Sequence, residues 1–461
     1  MKYFALLFCL ILVTPLQAKE ALVTDADGLE AAMESARPGD VVVLKDGVWT
    51  DQALVFAGQG TPNAPITLRA QTPGGVTLTG QSNLSISGKH LVVDGLNFET
   101  GDPGDLSHVV QFRGPLGDAT HSRLTNTQIK DYNPESIDTR YFWVSLYGQH
   151  NRVDHCRFIN QNHSGVTVVA WIEEQPTHHR IDHNHFLDRP LGNGNGFETI
   201  RLGTSKYSNT DAYVVVEYNV FERCDGEIEI ISNKSNNNVF RGNTFLDSAA
   251  TLTLRHGHRA RVEDNFILGM GKARSGGIRV MGEDHVIINN TIADVDDRMD
   301  GAISIAAGIV DTPANGYQQV KTAVIAHNTI VNVQGAAISM DWGIGQRNRT
   351  LLPEGITVAN NLIHSTHAPL FEGEEGPGYR WINNLVFGAP LGLEPRDGLM
   401  QVDPQLVEGG DGLWRPGPES PAVGQAVAVS SATSGLVNIG ADPELRPLFG
   451  QDVGPSWTKA D

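Results

Sequence analysis

A short pattern of apolar and polar residues recurs along most of this chain. It consists of an apolar residue, two variable residues, a position that we call the ladder residue, one variable residue and a second apolar residue. The copies are Val93-Leu96-Phe98, Leu124-Thr127-Ile129, Val153-Cys156-Phe158, Ile181-Asn184-Phe186, Val216-Asn219-Phe221, Phe240-Asn243-Phe245, Val262-Asn265-Ile267, Ile287-Asn290-Ile292, Ile325-Asn328-Ile330, Val358-Asn361-Ile363 and Trp381-Asn384-Val386. Successive ladder residues lie 22 to 38 positions apart by subtraction. A repeat of this size predicts a stacked array in which neighbouring copies bury a continuous core.

The residue types indicate which array this is. The copies are rich in Val, Ile, Thr, Phe and Asn, with Gly between short apolar stretches, and they lack the 3.6-residue period of helical repeats. Leucine-rich repeats are the architectural alternative, but their tighter leucine spacing is absent. We therefore predict an all-β, single-domain right-handed parallel β-helix, with the Asn side chains stacked at a bend and hydrogen bonded along the axis. Cys156 occupies a ladder position, which predicts a buried structural thiol.

Both ends of such a stack need a cover, because an open coil exposes strand edges and core. Residues 27–36 fit a short N-terminal capping helix, with Asp27 as N-cap and Glu30 three positions later. Residues 41–44 are predicted to form the first strand. The pattern fades after Asn384, so residues 388–461 are predicted to hold irregular last coils and a C-terminal cap.

The first 18 residues have a short positive start, an apolar stretch at 4–16 and a small residue before a polar segment. This arrangement is typical of a cleaved secretory signal, since about 20 apolar residues are needed to span a membrane. We therefore expect a signal peptide at 1–18, a β-helix domain at 19–461 and a periplasmic or secreted location. After cleavage only Cys156 and Cys224 of the three cysteines would remain, too few for a disulfide framework.

Composition narrows the choice of partner. The chain is 40% hydrophobic and 19% charged, which favours a folded protein over a disordered one. Its formal net charge of -19 argues against nucleic acid and anionic membranes as main partners, because both require a basic surface. An anionic substrate would need a local cluster of positive charge. The oligomeric state cannot be read from the sequence.

Polar residues at similar offsets from the ladder should be neighbours on adjacent coils, about 4.8 Å apart. This counting places six candidate residues on one face over four coils: Asn195, Glu227, Glu229, Lys234, Arg255 and Arg279. Asn195 and the two Glu residues offer hard oxygen ligands, which suit Ca²⁺ better than zinc. The alternative interpretation of the Glu pair is a pair of ordinary solvated acids on an exposed strand.

Four segments carry a resemblance to a known family. They are 194–203 (GNGFETIRLG), 224–235 (CDGEIEIISNKS), 252–257 (LTLRHG) and 276–279 (GGIR). In order and spacing they resemble polysaccharide lyase family 6, which contains alginate lyases and the dermatan-sulfate-cleaving chondroitinase B, all right-handed β-helices. The chain differs from the family's usual pattern at Phe197, where Gly is usual, and at Asn236, where Cys is usual. Both differences bear on cleft shape and calcium affinity.

The resemblance implies a role for each matching residue. Lys234 matches the family's Brønsted base and Arg255 its proposed acid, while Asn195, Glu227 and Glu229 match the calcium ligands. Arg201, His256 and Arg279 match positions that line the substrate cleft. The implied function is a secreted alginate lyase that cleaves its anionic polysaccharide by calcium-assisted β-elimination and leaves 4,5-unsaturated ends. A dermatan sulfate lyase and a non-catalytic, carbohydrate-binding β-helix are the two alternatives.

Overall fold

Three parallel β-sheets run the length of the molecule and enclose one apolar core. The computed structural model describes residues 18–458, so the predicted signal peptide lies outside the described residues except for its last position. The chain passes through sheet I, sheet II and sheet III in turn and then starts the next coil. The prediction of a right-handed parallel β-helix is confirmed.

The strands are short and their order follows the chain. Sheet I contains Glu20–Val23, Val41–Leu44, Ile66–Ala70, Leu91–Asp94, Arg123–Thr125, Arg152–Asp154, Arg180–Asp182, Val215–Glu217, Val239–Arg241, Arg261–Glu263, Val286–Ile288, Val324–Ala326, Thr357–Ala359 and Arg380–Ile382. Sheet II contains Gly47–Thr50, Val76–Gly80, Leu96–Gly101, Gln128–Lys130, Arg157–Ile159, His185–Arg189, Val220–Cys224, Thr244–Leu246, Phe266–Leu268, Thr291–Ala293, Thr329–Val331, Leu362–Ser365, Asn384–Gly388 and Leu399–Gln401. Sheet III contains Ala53–Gln59, Asn83–Lys89, His108–Gln111, Phe142–Leu146, Val168–Ala170, Ile200–Leu202, Glu229–Lys234, Thr251–His256, Ile278–Val280, Gly301–Ala306, Ala336–Trp342 and Phe371–Glu372.

A few elements lie outside the three sheets. Two small antiparallel ladders pair Arg113–Gly114 with Gly117–Asp118 and Leu406–Glu408 with Trp414–Pro416. The helices are Ala26–Met33 and the 3₁₀ turns Ser205–Tyr207, Ser431–Thr433 and Ser456–Thr458. Over residues 18–458, no helix has the length and apolar character needed to cross a membrane.

The ladder residues occupy the bend between sheets I and II. From Asn184 to Asn384 each ladder side chain is fully buried. From Asn184 to Asn361, Nδ2 of each donates a hydrogen bond of 2.9 to 3.0 Å to Oδ1 of the next ladder residue. Cys156 continues the row as a fully buried free thiol, and its backbone N–H donates to Oδ1 of Asn184. The predicted Asn stack and the structural role of Cys156 are both confirmed.

The N-terminal end is closed by a strand and a helix. Glu20–Val23 pairs with Val41–Leu44, so the first strand precedes the segment predicted for that place. The helix is Ala26–Met33, and its N-cap is Asp25, whose side chain accepts a hydrogen bond from the backbone N–H of Gly28. The predicted N-cap at Asp27 was therefore wrong by two positions. Leu29 is fully buried, so the helix does cover the core of the first coils.

The chain after residue 388 forms two parts. Leu391, Leu393 and Leu399 pack against the apolar core at the last coil. The segment 417–458 then runs back along the outside of the bend between sheets I and II. The backbone N–H of Asp442 donates a hydrogen bond to Oδ1 of Asn289. The indole N–H of Trp457 donates to the backbone carbonyl of Asn126. The tail thereby reaches coils far from the end where it starts.

Candidate active site

The outer surface of sheet III carries a row of polar side chains. Arg201 pairs in register with Ser232, Ser232 with Thr253, and Thr253 with Arg279. All four side chains lie on the same face, because the neighbouring register positions hold core residues such as Ile231. Arg201 and Arg279 therefore lie about 14 Å apart, three strand spacings, with small hydroxyl residues between them.

Two irregularities in the pairing of Glu229–Lys234 with Thr251–His256 shape the site. The register shifts between Glu229 and Ile231 and again between Asn233 and Lys234, so that Lys234 pairs with His256 and Arg255 is the extra residue. A β-bulge re-aims the side chain of the extra residue and is common beside active sites. Counting offsets from the ladder residues does not reveal these two bulges.

Three carboxylates converge at this sheet. Oxygen atoms of Glu198, Glu227 and Glu229 lie within 4.8 Å of one another. Oε2 of Glu198 and Oε1 of Glu227 are buried and accept no hydrogen bond from any described residue. Burial, followed by repulsion from Glu198 and Glu229, raises the pKa of Glu227 to about 8. Buried anionic oxygens without donors form a site that favours a hard cation.

Glu198 was not among the predicted ligands. It is buried, whereas the predicted ligand Asn195 is exposed. Asn195 lies on an exposed turn, and its side chain makes no hydrogen bond within residues 18–458. The turn is tied down on both sides, since Gly192 N–H donates to the carbonyl of Gly226 and Gly165 N–H donates to that of Gly196. The acidic cluster thus contains Glu227 and Glu229 as predicted, with Glu198 as its third carboxylate.

Cationic side chains surround the acidic cluster. Nζ of Lys234 lies 3.6 Å from Oε1 of Glu198, and Nη1 of Arg279 lies 3.1 Å from Oε1 of Glu229. Nε of Arg255 is 4.0 Å from the same Glu229 oxygen. Lys234, Arg255 and Arg279 therefore lie beside the acids as the offsets predicted, and the cations that contact Glu198 and Glu229 come from later coils.

His256 is buried beside Arg255. Nη1 of Arg255 lies 3.2 Å from Nδ1 of His256, and because a guanidinium can only donate, this ring nitrogen accepts. Burial, with the charges of Arg255, Lys234 and Arg279, lowers the pKa of His256 to about 3. His256 is therefore a neutral ring that orients Arg255 and adds no charge to the site.

Two loops complete the site and were missed from the sequence. The guanidinium carbon of Arg349 lies 4.9 Å from the ring centroid of Tyr317 and 4.5 Å from that of Trp342. Arg255 stacks on the same Tyr317 ring at 4.8 Å, and Arg279 on the same Trp342 ring at 4.7 Å. These residues lie in the coils with ladder spacings of 38 and 33, where extra length was the available signal.

Arg201 comes from the coil before Lys234, whereas Arg255 and Arg279 come from the coils after it. Its guanidinium carbon is 5.2 Å from the ring centroid of Trp171 and 5.7 Å from that of Phe142. Its Nε is buried without a partner among the described residues, and burial lowers the pKa of this guanidinium. An arginine packed between aromatic rings has a restricted position, and its free donors can pair with an incoming anion.

The two residues that differ from the family's usual pattern are both buried in the protein. Phe197 is buried, with its ring 5.7 Å from the guanidinium carbon of Arg189. Asn236 is buried as well, and its Nδ2 donates to the carbonyl of Asn209 and to Oδ1 of Asp211. Neither side chain belongs to the acidic cluster or to the group of cations around it.

The sequence model of the family described as chondroitinase B matches residues 23–424. The chain belongs to this family, polysaccharide lyase family 6. Solved structures of family 6 proteins are similar to this chain over most of its length. The family 6 alginate lyase AlyGC is 36% identical with a TM-score of 0.85, and the match covers 95% of this chain and 58% of AlyGC. This chain thus spans somewhat more than half of the length of AlyGC.

Two further family 6 structures are similar. A mannuronic acid specific lyase from human gut microbiota is 30% identical with a TM-score of 0.76, and the match covers 84% of this chain and 91% of that one. A lyase from Pseudopedobacter saltans is 27% identical with a TM-score of 0.74, and the match covers 95% and 99% of the two chains. No curated protein sequence matches the chain.

Proposed function

We propose that this family 6 protein cleaves alginate by β-elimination, with Lys234 as the base and calcium held by the acidic cluster. The observation that carries the proposal is the convergence of Lys234, Arg255 and Arg279 on three mutually close carboxylates at one sheet surface. AlyGC is described as an alginate lyase and the gut microbiota enzyme as mannuronic acid specific, which supports alginate as the substrate.

The base must remove the weakly acidic proton at C5 of a uronate. Lys234 has a largely buried side chain, and it lies beside the buried, neutral His256 through the strand register. An amine accepts a proton only when it is uncharged, so Lys234 acts as the base in its free-amine form in this proposal. In the proposed reaction the C5–H bond breaks and its proton is transferred to Nζ of Lys234.

The electron pair from C5 places negative charge on the uronate carboxylate before the bond between C4 and the bridging oxygen breaks. Arg201 and Arg279 lie on the same row of the sheet as Ser232 and Thr253, and their guanidinium groups can pair with carboxylates of neighbouring sugars. Glu198, Glu227 and Glu229 would hold a calcium ion, and a bound ion would supply further neutralisation of charge at the substrate carboxylate. Asn195 remains a proposed fourth ligand.

Fission of the C4–O bond forms the C4–C5 double bond and leaves an oxygen that needs a proton. Arg255 lies 4.0 Å from Glu229 and is held by Tyr317, so its donors are fixed near the reacting atoms. A guanidinium barely deprotonates, so we assign to Arg255 the stabilisation of the leaving oxygen. The proton itself returns from Lys234 or from water.

A dermatan sulfate lyase is the second candidate, because the family model is the one described as chondroitinase B. The test incubates the protein with alginate and with dermatan sulfate, with calcium or with a chelator, and follows the absorbance of the unsaturated product. We expect activity on alginate that the chelator lowers. No product from either polymer under either condition would exclude the lyase function and leave a carbohydrate-binding role.

The base assignment has its own test. Lys234→Ala should abolish turnover while the thermal unfolding midpoint stays close to that of the wild type, because the side chain faces outward from sheet III. Lys321→Ala is the matched control, since Lys321 pairs with Glu283 and contacts neither the acidic cluster nor the cations around it. Near-full activity of Lys234→Ala would refute Lys234 as the base.

We also propose that the protein is exported through residues 1–18 and acts in the periplasm or outside the cell. The apolar stretch at 4–16 supports this location. Sequencing the N-terminus of the protein from an expressing cell tests it, and a retained Met1 in the mature protein would refute it.

A further inference from the structure

Arg349 is a buried cation without an acidic partner. Only 3% of the residue is exposed, and no carboxylate within residues 18–458 pairs with it. Its Nε donates to the carbonyl of Gln346 at 3.2 Å, its Nη1 to that of Trp342 at 3.4 Å and its Nη2 to Oε1 of Gln346 at 3.3 Å. A buried charge costs free energy when no anion pairs with it, so an ion pair does not account for the placement of this guanidinium.

The guanidinium of Arg349 connects two aromatic rings of the site. It lies 4.9 Å from the ring centroid of Tyr317 and 4.5 Å from that of Trp342. Each ring also contacts one of the cations beside the acidic cluster, since Tyr317 contacts Arg255 at 4.8 Å and Trp342 contacts Arg279 at 4.7 Å. Arg349 is therefore the central member of a row of five side chains that ends at Arg255 and at Arg279.

The turn 343–349 is built around this guanidinium. Gly343 has a φ of 77°, and a Cβ atom added there would lie 1.9 Å from Cζ of Arg349. The backbone N–H of Gly345 donates to the carbonyl of Arg349, and the N–H of Arg349 donates to the carbonyl of Gln346. The turn thus encloses the side chain of its own last residue, in space that only a glycine at position 343 leaves open.

The loop that carries Tyr317, residues 307–320, is tied to the end of that turn. Gly308 and Leu351 exchange two backbone hydrogen bonds, of 2.8 and 3.0 Å. The carbonyl of Gly316 accepts a hydrogen bond from Nη1 of Arg255 at 3.4 Å. Arg255 therefore contacts the 307–320 loop through both the Tyr317 ring and the Gly316 carbonyl, so a shift of this loop would shift its guanidinium.

We propose that Arg349 is a positioning residue for the elimination: it holds the rings of Tyr317 and Trp342, and these rings hold Arg255 and Arg279 beside the acidic cluster. The proposal rests on the proposed function, in which Arg255 stabilises the leaving oxygen. A donor stabilises developing charge best when it is already oriented before the reaction, and the row of rings and guanidinium groups supplies that orientation.

The two cations at the ends of the row depend on it to different degrees. Nη1 of Arg279 lies 3.1 Å from Oε1 of Glu229, whereas Nε of Arg255 lies 4.0 Å from the same oxygen. Loss of the row should therefore displace Arg255 more than Arg279. A group that acts on the leaving oxygen acts in the transition state, so kcat should fall while KM changes little.

The first test is independent of catalysis and measures hydrogen–deuterium exchange by mass spectrometry. Peptides from the 307–320 loop should exchange faster in Arg349→Ala and in Gly343→Ala than in the wild type. Gly345→Ala is the matched control, because Gly345 has nearly the same φ, 76°, and no atom lies within 4 Å of an added Cβ. Circular dichroism checks that each variant is folded. Exchange in Arg349→Ala equal to that of the wild type would overturn the proposal.

The second test uses turnover of alginate. We expect kcat to fall roughly 10- to 100-fold in Arg349→Ala, with KM within about twofold of the wild type. Gly343→Ala should show the same split, and Gly345→Ala should keep the wild-type kcat.

A double-mutant cycle separates positioning from general damage to the fold. In an Arg255→Ala background, followed at high enzyme concentration, Arg349→Ala should lower the residual kcat by less than about twofold, because the group through which Arg349 acts is absent. An equal loss in both backgrounds would refute the proposal. Absence of turnover in the wild type would refute the proposed function, and the exchange experiment would still decide whether Arg349 holds the Tyr317 loop.

Discussion

Nζ of Lys234 lies 3.6 Å from Oε1 of Glu198, a carboxylate that comes from the preceding coil. The contact joins the proposed base to the acidic cluster, because an oxygen of Glu198 also lies within 4.8 Å of oxygens of Glu227 and Glu229. Glu198 therefore holds the amine of Lys234 next to the proposed calcium site.

The first prediction concerns Glu198→Gln. The variant keeps the size of the side chain and removes one anionic oxygen from the cluster, so we expect calcium affinity to fall roughly tenfold or more. Calorimetric titration of the metal into the chelator-treated protein measures this change. Glu135→Gln, at an exposed acid outside the cluster, is the control and should leave the affinity unaltered. Equal affinity of Glu198→Gln and the wild type would remove Glu198 from the ligand set.

The second prediction concerns acid stability and His285. The backbone N–H of Ala260 donates to Nδ1 of this buried histidine at 3.1 Å, so Nδ1 carries no proton and Nε2 donates to the carbonyl of Met281. Burial lowers the pKa of His285 to about 4. A lowered histidine pKa gives stability that is complete above the unfolded pKa of about 6.5 and is lost as pH falls toward 4.

We therefore expect His285 to cost about 2 kcal/mol of unfolding free energy between pH 7.5 and pH 5. His285→Asn is the matched variant, because Asn238 occupies the same place on another coil and accepts the corresponding backbone hydrogen bond from Val214. Denaturant unfolding at the two pH values should show a smaller loss for the variant. An identical loss in both proteins would assign the acid sensitivity to other groups.

The third prediction concerns the Asn ladder. Nδ2 of Asn265 donates to the carbonyls of Phe240 and Glu263 and to Asn290, while its Oδ1 accepts from Asn243. Asn265→Ala leaves several buried groups without partners, so we expect a loss of about 3 kcal/mol or more in unfolding free energy.

Chemical denaturation followed by circular dichroism measures that loss. The exposed Gln334→Ala should change the unfolding free energy by less than about 0.5 kcal/mol. A similarly small effect at Asn265 would mean that the ladder contributes little to stability.

The ladder was predictable because it is local and periodic. Each copy keeps a fixed spacing between the Asn and its two flanking apolar residues, so the bend between sheets I and II repeats in the sequence as it does in space. The same spacing placed Glu229 and Arg279 on one face two coils apart, and their side chains are 3.1 Å apart.

Other parts of the site depend on features without a period. Two bulges shift Lys234 onto His256 and make Arg255 the extra residue, and a bulge leaves no mark in an offset count. Arg349 reaches the site from a loop whose conformation follows from tertiary packing on Tyr317. Glu198 lies three residues after Asn195, and only the course of the intervening turn directs its carboxylate into the cluster.

The last prediction concerns Arg189, a buried cation behind the acidic cluster. Its Nε donates to the carbonyl of Phe197 at 2.7 Å, its Nη1 to that of Gln161 at 3.0 Å and its Nη2 to that of Gly165 at 2.7 Å. Burial lowers its pKa to about 10, so the side chain remains charged at neutral pH. Arg189 thus fixes the backbone that immediately precedes Glu198 and acts as a positioning residue.

Arg189→Lys keeps the charge and cannot reproduce three diverging hydrogen bonds, so the segment at Phe197 should lose its fixed position. We expect calcium affinity to fall several-fold, as measured by calorimetric titration, together with a lower thermal unfolding midpoint. Arg223→Lys is the matched control, since Arg223 pairs with Asp188 at the surface and does not contact the turn before Glu198. A lower unfolding midpoint with unchanged calcium affinity would show that Arg189 supports the fold alone and does not position Glu198.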